Sequence, residues 1–479
     1  MDYNNEQSAG PEGRKIFQTE ITTNRPKCLA EGTIPWMASQ IEWVPIDRLQ
    51  VPTTQLRHHP KRQIKLLIKA IKEYGFTTPL LVDNDYMLVL GDGRLLAAMA
   101  LEMDVVPVIR ISHLTDRQIA ALKLADNKIA ELAEWNWDEV ARTLEQLAVV
   151  DFDVELTGFS VTEADLTIAR HLPKPHDVAL DDCPPAQAGE PVAQLGDVFG
   201  LDEHRVGCGD CRDTAVLTRL MDDTLIAASF SDPPYNVPIL GNVSGLGKVK
   251  HGEFAMVSGE MTDDQFFEFL VVYLIALRSL SRNGAVHYCC MDWRSLDILV
   301  RAIRHTGGTL LKICTWAKTN AGMGSFYRSQ TEFIVVFQFG DAPHQNNVML
   351  GANGRNRSNL WRYEGANSIN PARRRELMLH PTVKPVRMIA DALLDCTSRG
   401  DVVFDGFLGS GSTLIAAEDT GRVCYGVEIA PAYVDIIVRR WQEFTAGTAI
   451  HVASGLTFDE LARQRHAPAL LPAPAKKEA

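Results

Sequence analysis

The chain has 479 residues, of which 23% are charged and 46% hydrophobic, as expected for a globular enzyme of about three domains. The net charge of −12 excludes a uniformly basic nucleic-acid-binding protein, so any nucleic-acid surface must be local. No stretch approaches the roughly 18 uninterrupted apolar residues of a membrane span, and the start of the chain has no apolar signal sequence. We therefore expect a cytoplasmic protein.

A small α+β domain is predicted for residues 39–150, after a polar tail at 1–38. Within it, Lys61–Tyr74 has apolar residues at helical spacing and is followed by Gly75. The other predicted elements are strands at Trp43–Ile46, Leu80–Val82, Met87–Leu90 and Val105–Ile111, and a helix at Leu95–Leu101. The basic side chains of the first helix either contact phosphates or form a solvated face, and the sequence leaves both open.

Two segments of this domain carry a family likeness. The turn Gly91-Asp92-Gly93-Arg94 and the later segment Ala125–Glu131 resemble the N-terminal domain of the ParB family. In that family the turn carries a denser acidic and arginine cluster that binds a nucleotide. Here only Arg94 keeps its register, so we do not expect nucleotide hydrolysis or nuclease activity.

Residues 151–195 are predicted to form a helix and a proline-rich linker, because five prolines lie between 173 and 191 among acidic and small residues. A chain that begins near Val192 is therefore expected to fold by itself. Strands and helices then alternate over 196–450, which predicts a doubly wound α/β domain. The alanine- and proline-rich residues 466–479 are predicted to be a disordered tail.

The most informative segment is Asp232-Pro233-Pro234-Tyr235, which follows the apolar run Leu225–Phe230. Two prolines cannot continue a strand, so the segment is predicted to be a turn at the carboxyl end of a buried strand. Ligand sites of open α/β sheets lie at such ends. A carboxylate, a carbonyl oxygen and an aromatic ring together suit a planar base with an exocyclic amine.

A second glycine-rich turn follows the predicted strand Val402–Asp405. Gly409-Ser410-Gly411 lacks the lysine of a phosphate-binding loop, and Leu414 stands where a dinucleotide fingerprint requires its third glycine. The next predicted strand ends at Glu428, a carboxylate that suits a ribose diol.

Together the two turns resemble the amino-group DNA methyltransferases, which methylate adenine N6 or cytosine N4 with S-adenosylmethionine. His380-Pro381-Thr382-Val383-Lys384-Pro385 matches a family segment beside the cofactor, and Gly406 stands where proline is usual. The catalytic motif precedes the cofactor loop, as in the permuted β class. The resemblance implies cofactor contacts by Asp210, Thr382, Lys384, Asp405, Phe407, Gly409, Ser410, Gly411 and Glu428.

The same resemblance implies that double-stranded DNA is the partner and that the target base is flipped out of the helix; it is also compatible with a homodimer. Asp232 and the Pro233 carbonyl would accept the two N–H bonds of the amine, Pro234 would complete the turn, and Tyr235 would stack on the base. Asp rather than Ser at position 232 favours adenine in this family. The alternatives are a cytosine-N4 methyltransferase and a non-catalytic ParB-like DNA-binding regulator.

Target recognition is predicted for residues 340–379. Between 351 and 387 there are eight Lys or Arg residues and two acidic ones, in an otherwise acidic protein. Arginine makes bidentate contacts with bases and phosphates, so the DNA-binding candidates are Arg355, Arg357, Arg373, Arg374 and Arg375. The nine cysteines include one Cys-x-x-Cys pair, Cys208 and Cys211, without a second pair at zinc-site spacing, so no metal site is expected.

Overall fold

The computed structural model describes residues 41–150, 152–172, 180–185, 189–236, 259–319, 327–349, 355–364 and 384–466. The chain divides into two compact units, Met1–Glu134 and Trp135–Ala479. The division lies before the boundary predicted at residue 150. Helix α4 (Trp137–Val149), which the sequence placed in the first domain, therefore belongs to the second unit.

The first unit is the predicted α+β domain. Among its described residues, four strands form one sheet in the order β1-β4-β2-β3, in which β1 and β4 are antiparallel and β2 and β4 parallel. The sheet and helices enclose a core that includes Val44, Leu80, Leu95 and Val106. The elements are β1 (Glu42–Pro45), α1 (Lys61–Tyr74), β2 (Leu80–Val82), β3 (Leu88–Leu90), α2 (Asp92–Ala100), β4 (Val105–Arg110) and α3 (Asp116–Ala130).

The Gly91–Arg94 turn is tighter than predicted, because helix α2 already begins at Asp92. Gly91 has φ +108°, a backbone conformation that favours glycine. The guanidinium of Arg94 donates to the Thr78 carbonyl at 2.9 Å. Arg94 thereby ties the start of this helix to the residues before β2.

The second unit contains a large mixed sheet. Within the described residues ten strands follow the order β11-β9-β10-β8-β7-β12-β13-β6-β5-β14. The strands are β5 (Val198–Leu201), β6 (His204–Cys208), β7 (Ile226–Ser231), β8 (Ser281–Met291), β9 (Thr309–Ala317), β10 (Thr331–Gln338), β11 (Leu360–Arg362), β12 (Val402–Asp405), β13 (Val423–Glu428) and β14 (Ile450–His451). Strands β6, β13, β12, β7 and β8 are parallel neighbours.

Helices cover both faces of this sheet. The helices after α4 are α5 (Val161–His171), α6 (Thr214–Met221), α7 (Asp263–Leu280), α8 (Leu296–His305), α9 (Val386–Cys396), α10 (Ser412–Thr420), α11 (Pro431–Thr445) and α12 (Phe458–Arg465). Helices α6, α7 and α8 pack on one face and contribute residues such as Leu220, Leu274 and Ile303 to its core. Helices α9, α10 and α11 pack on the other face with residues such as Leu393 and Ile437. The doubly wound prediction is confirmed.

The structure differs from the interpretation of residues 151–195 as a linker. Asp165 of helix α5 pairs with Arg422 through two contacts, at 2.6 Å and 3.2 Å, and both side chains are buried. Further along, the Leu180 carbonyl accepts a hydrogen bond from Arg440, and Asp181 accepts one from the backbone N–H of Val386. The described part of this stretch is therefore docked on the second unit.

Among the described residues, every helix is too short or too polar to cross a membrane.

Candidate active site

The Asp232–Tyr235 turn lies at the carboxyl end of β7, as the sequence predicted. The strand ends at Ser231 because Pro233 and Pro234 cannot donate to a neighbouring strand. The hydroxyl of Tyr235 donates to Asp232 Oδ1 at 2.6 Å, and the Tyr235 carbonyl accepts from Ser295 Oγ at 3.0 Å. The turn therefore holds its carboxylate and its aromatic ring in a fixed arrangement.

Lys384 lies against the Asp232–Tyr235 turn, the catalytic turn predicted from the sequence. Its Nζ is 2.6 Å from Asp232 Oδ2, 3.2 Å from the Tyr235 hydroxyl and 3.3 Å from Glu332 Oε2. The side chain is only 5% exposed. Burial alone would lower the pKa of Lys384, but the carboxylates of Asp232 and Glu332 outweigh burial and raise it. The lysine is therefore a stable cation.

Sequence reasoning missed two residues of this site, Glu332 and Lys318. Glu332 Oε1 pairs with Lys318 Nζ, and Lys318 in turn lies over the ring of Trp316 at 4.8 Å. Burial would raise the pKa of Glu332, but Lys384 and Lys318 outweigh burial and lower it to about 2. We call Asp232, Lys384, Glu332 and Lys318 the charge cluster.

The sheet topology explains why these residues meet. Strand β10 runs antiparallel to both β8 and β9, with Glu332 opposite Trp316. The start of β10 and the end of β9 therefore lie at the same edge of the sheet as the end of β7. Strands β9 and β10 are antiparallel neighbours, and this pair carries the two missed side chains to the catalytic turn.

The glycine-rich loop follows β12 at this edge. Asp405 Oδ1 accepts from the Phe407 backbone N–H at 2.9 Å, and Oδ2 accepts from Thr413 Oγ1 at 2.6 Å. Burial raises the pKa of Asp405 to about 7. Gly411 has φ +84°, which allows helix α10 to begin at Ser412, and the buried Ser410 carbonyl accepts from Arg440 at 2.9 Å.

Packing explains the glycine at position 406, where the family usually has proline. A Cβ atom there would lie 2.7 Å from Tyr273 Cε2. The Tyr273 ring cannot move aside easily, because its hydroxyl is 2.6 Å from Ser231 Oγ and its ring packs edge-on against Phe407. The Tyr273 ring therefore leaves space only for glycine at position 406.

Glu428 ends β13, next to the loop. Its Oε2 accepts from the Gly409 backbone N–H at 2.8 Å and its Oε1 from the Ala430 N–H at 2.9 Å. Burial raises the pKa of Glu428 to about 7. Asp210, after β6, is held by Arg212 through contacts of 2.6 Å and 3.0 Å. Four adjacent strands thus have an acidic residue at or just after their carboxyl ends, namely Asp210, Glu428, Asp405 and Asp232.

Comparisons with known proteins agree with this geometry. Residues 226–439 match the family described as DNA methylase, and residues 36–128 match the ParB N-terminal domain. Type II methyltransferase M2.MboI of Moraxella bovis is 24% identical over 247 residues, which are 50% of this chain and 87% of that protein. The ParB-like nuclease domain-containing protein YnaK of Escherichia coli (strain K12) is 39% identical over 79 residues, 16% of this chain and 91% of YnaK.

The chain combines a ParB N-terminal domain with a DNA methylase domain of the amino-methyltransferase family. Among solved structures, the PvuII cytosine-N4-specific DNA methyltransferase covers 57% of this chain and 93% of its own length, with a TM-score of 0.39 and 13% identity.

Two arginines predicted to bind DNA have partners inside the methylase domain. Arg355 contacts Asp395 at 2.7 Å and Asp391 at 3.2 Å, both on helix α9, and Arg357 contacts the same two carboxylates. Arg355 is only 10% exposed. The geometry favours a structural role for both arginines, and DNA contact by them stays a prediction. Thr382, Arg373, Arg374 and Arg375 lie outside the described residues.

We expect Arg355→Met to lower the free energy of unfolding of the methylase domain by about 2 kcal/mol, because the buried Asp395 carboxylate then keeps only Arg357 of its two guanidinium partners. Arg362→Met is the matched control, since Arg362 belongs to the same basic stretch but is exposed. Urea denaturation of both variants checks the prediction. Equal midpoints in the two variants would contradict it.

Proposed function

We propose that this protein is a sequence-specific DNA methyltransferase that transfers a methyl group from S-adenosylmethionine to adenine N6 after flipping the base out of the duplex. One observation carries the proposal: Asp232 and Tyr235 lie at the same sheet edge as the glycine-rich loop and Glu428. A base-binding turn and a nucleoside-binding loop are thus adjacent. Methyl transfer between their two ligands requires this adjacency.

The residues at this edge fit S-adenosylmethionine. Glu428 accepts hydrogen bonds from the backbone N–H groups of Gly409, Ala430 and Ile429, and a carboxylate has about four lone-pair sites, so one remains for a ribose hydroxyl. Asp210, Asp405, Phe407 and the loop Gly409-Ser410-Gly411 would line the same site. When bound, the cofactor supplies a methyl group activated by its sulfonium. Lys384 contacts Asp232 and Tyr235, so we assign it to the catalytic turn instead.

The catalytic turn orients the amine of the target base. The lone pair of an exocyclic amine is delocalised into the ring, which makes the nitrogen a poor nucleophile. If Asp232 and the Pro233 carbonyl accept its two N–H bonds, the nitrogen moves toward tetrahedral geometry and its lone pair points away from the turn. Positive charge that develops on the nitrogen is stabilised by the Asp232 carboxylate, which lies beside the proton that must leave. Tyr235 stacks on the ring of the base.

The proposal is tested by expressing the chain in a host without DNA methylation, digesting its DNA to nucleosides and sequencing modified positions. N6-methyladenine at one short sequence is the expected result, and the sequence gives the recognition site. Detection of N4-methylcytosine instead would favour the alternative function, a cytosine-N4 methyltransferase. Unmodified DNA from a host that contains the folded protein would support the non-catalytic regulator.

The buried Glu428 carboxyl should make the stability of the cofactor-free protein depend on pH. Its folded pKa of about 7 lies above its ordinary value of 4.5, so the folded state binds more protons between these values. The contribution of this group to stability is therefore complete below pH 4.5 and is lost as pH rises through 7, by about 3 kcal/mol.

Thermal unfolding at pH 5 and pH 8 checks this expectation in the wild type and in Glu428→Gln, whose amide does not titrate. The variant should lose less stability between the two pH values, although Asp405 keeps part of the dependence because its pKa is also about 7. Calorimetry should also show weaker binding of S-adenosylmethionine to the variant. An unchanged affinity would remove Glu428 from the ribose contact.

A further inference from the structure

Both oxygens of the catalytic carboxylate already accept a donor from the protein itself. Tyr235 donates to Asp232 Oδ1, and the Lys384 ammonium donates to Oδ2, each at 2.6 Å. An ammonium group and an exocyclic amine are both nitrogen donors, and both need the same acceptor. The Lys384 ammonium therefore competes with the target amine for this carboxylate.

Glu332 provides a second carboxylate with which the displaced Lys384 ammonium can pair. Glu332 Oε2 lies 3.3 Å from Lys384 Nζ, so a small movement of the ammonium converts this contact into a short ion pair. Glu332 is ionised at every physiological pH, because its pKa is about 2. Lys318 fixes the other oxygen of Glu332, which keeps this carboxylate from following Lys384 toward Asp232.

We propose that Lys384 covers Asp232 in the base-free protein and moves onto Glu332 when the target amine enters, so that Glu332 is a positioning residue for base entry. The proposal rests on the proposed function, since it concerns how the flipped base reaches Asp232. The two lysines and two carboxylates of the charge cluster stay mutually compensated before and after the movement. Without Glu332, the buried Lys384 ammonium would have to leave Asp232 without a second carboxylate to pair with.

The exchange also selects the kind of base. An incoming group must supply N–H donors to Asp232 in place of those that Lys384 withdraws, which adenine and cytosine amines do. Thymine and guanine present a carbonyl oxygen at the corresponding ring position. An oxygen acceptor placed against Asp232 would leave two acceptors facing each other, so the ammonium would stay where it is.

The test compares two duplexes that contain the recognition site established by sequencing. One carries the target base and the other a tetrahydrofuran abasic site at that position. Only the first requires Lys384 to leave Asp232. Binding is measured by fluorescence anisotropy with S-adenosylhomocysteine present, so that no turnover occurs. The proteins are the full chain, Glu332→Gln, and the double variant Glu332→Gln with Lys384→Met.

We expect Glu332→Gln to weaken binding of the target duplex at least tenfold and to leave binding of the abasic duplex within twofold of wild type. The double variant should regain target binding, because no ammonium then has to be displaced. A variant that weakens both duplexes equally would assign Glu332 a structural role and overturn the proposal. A double variant as weak as Glu332→Gln would also overturn it.

This result is separable from the proposed function. Unmethylated DNA in the expression experiment would refute the methyltransferase assignment before any variant is made. If the wild type methylates DNA and Glu332→Gln binds both duplexes as the wild type does, only the exchange of Lys384 between the two carboxylates is refuted.

Discussion

Asp232→Ala should abolish methyl transfer while leaving the affinity for S-adenosylmethionine within about twofold of wild type. The side-chain contacts of Asp232 are with Tyr235 and Lys384, on the side of the proposed base pocket. Its removal takes away both the acceptor for the amine and the negative charge beside the departing proton. We expect a loss of about a thousandfold or more in the single-turnover rate.

Asp232→Asn separates these two effects, because the amide keeps an acceptor oxygen but has no charge. It should retain more activity than the alanine variant and still less than the wild type. Single-turnover methylation with excess enzyme gives the rates, and calorimetry gives the cofactor affinity. More than a few per cent of wild-type activity in Asp232→Ala would remove Asp232 from the catalytic role.

A chain that begins at Val192 should be about 3–5 kcal/mol less stable than one that begins at Trp135. The shorter chain lacks Asp165 and leaves the guanidinium of Arg422 buried without its partner. It also lacks the Leu180 carbonyl, which accepts from Arg440, and the Asp181 carboxylate, which accepts from the start of helix α9. We therefore expect a methylase domain that folds by itself to begin at Trp135 rather than at Val192.

Urea denaturation of the two chains measures the difference. Asp165→Asn in the full chain is the matched control, since it removes the ion pair but keeps every other part of the docked segment. It should account for a large share of the loss. Two chains with the same midpoint would show that the segment before Val192 contributes nothing to the fold.

The sequence predicts those parts of the fold and site that depend on local pattern. The proline turn after β7 and the glycine turn after β12 follow apolar strands, and parallel strands bring their ends to one edge. The position of Asp232, Asp405 and Glu428 at this edge therefore agrees with the sequence, and their roles stay predictions. Lys384 was identified from its motif, but the motif does not indicate whether its side chain contacts the Asp232–Tyr235 turn or the glycine-rich loop.

Glu332 and Lys318 were not predicted, because their position depends on the pairing of β9, β10 and β8. Antiparallel register is set by contacts between strands distant in the sequence, and a lone glutamate at a strand start gives no local signal. The Arg355 and Asp165 ion pairs were missed for a related reason. Counts of charged residues and prolines cannot show that Arg355 pairs with Asp395 or that Asp165 pairs with Arg422. The two partners of each pair lie far apart in the chain.

The strand order has a consequence for synthesis of the protein. Strands β6 and β7 leave the ribosome early, whereas β12 and β13, which lie between them, are made roughly 170 residues later. Until then, the facing edges of β6 and β7 have unpaired backbone groups. A nascent or prematurely terminated chain therefore contains the catalytic turn without a cofactor loop, and its open edges favour aggregation over partial activity. The enzyme should become competent only when synthesis has passed Glu428.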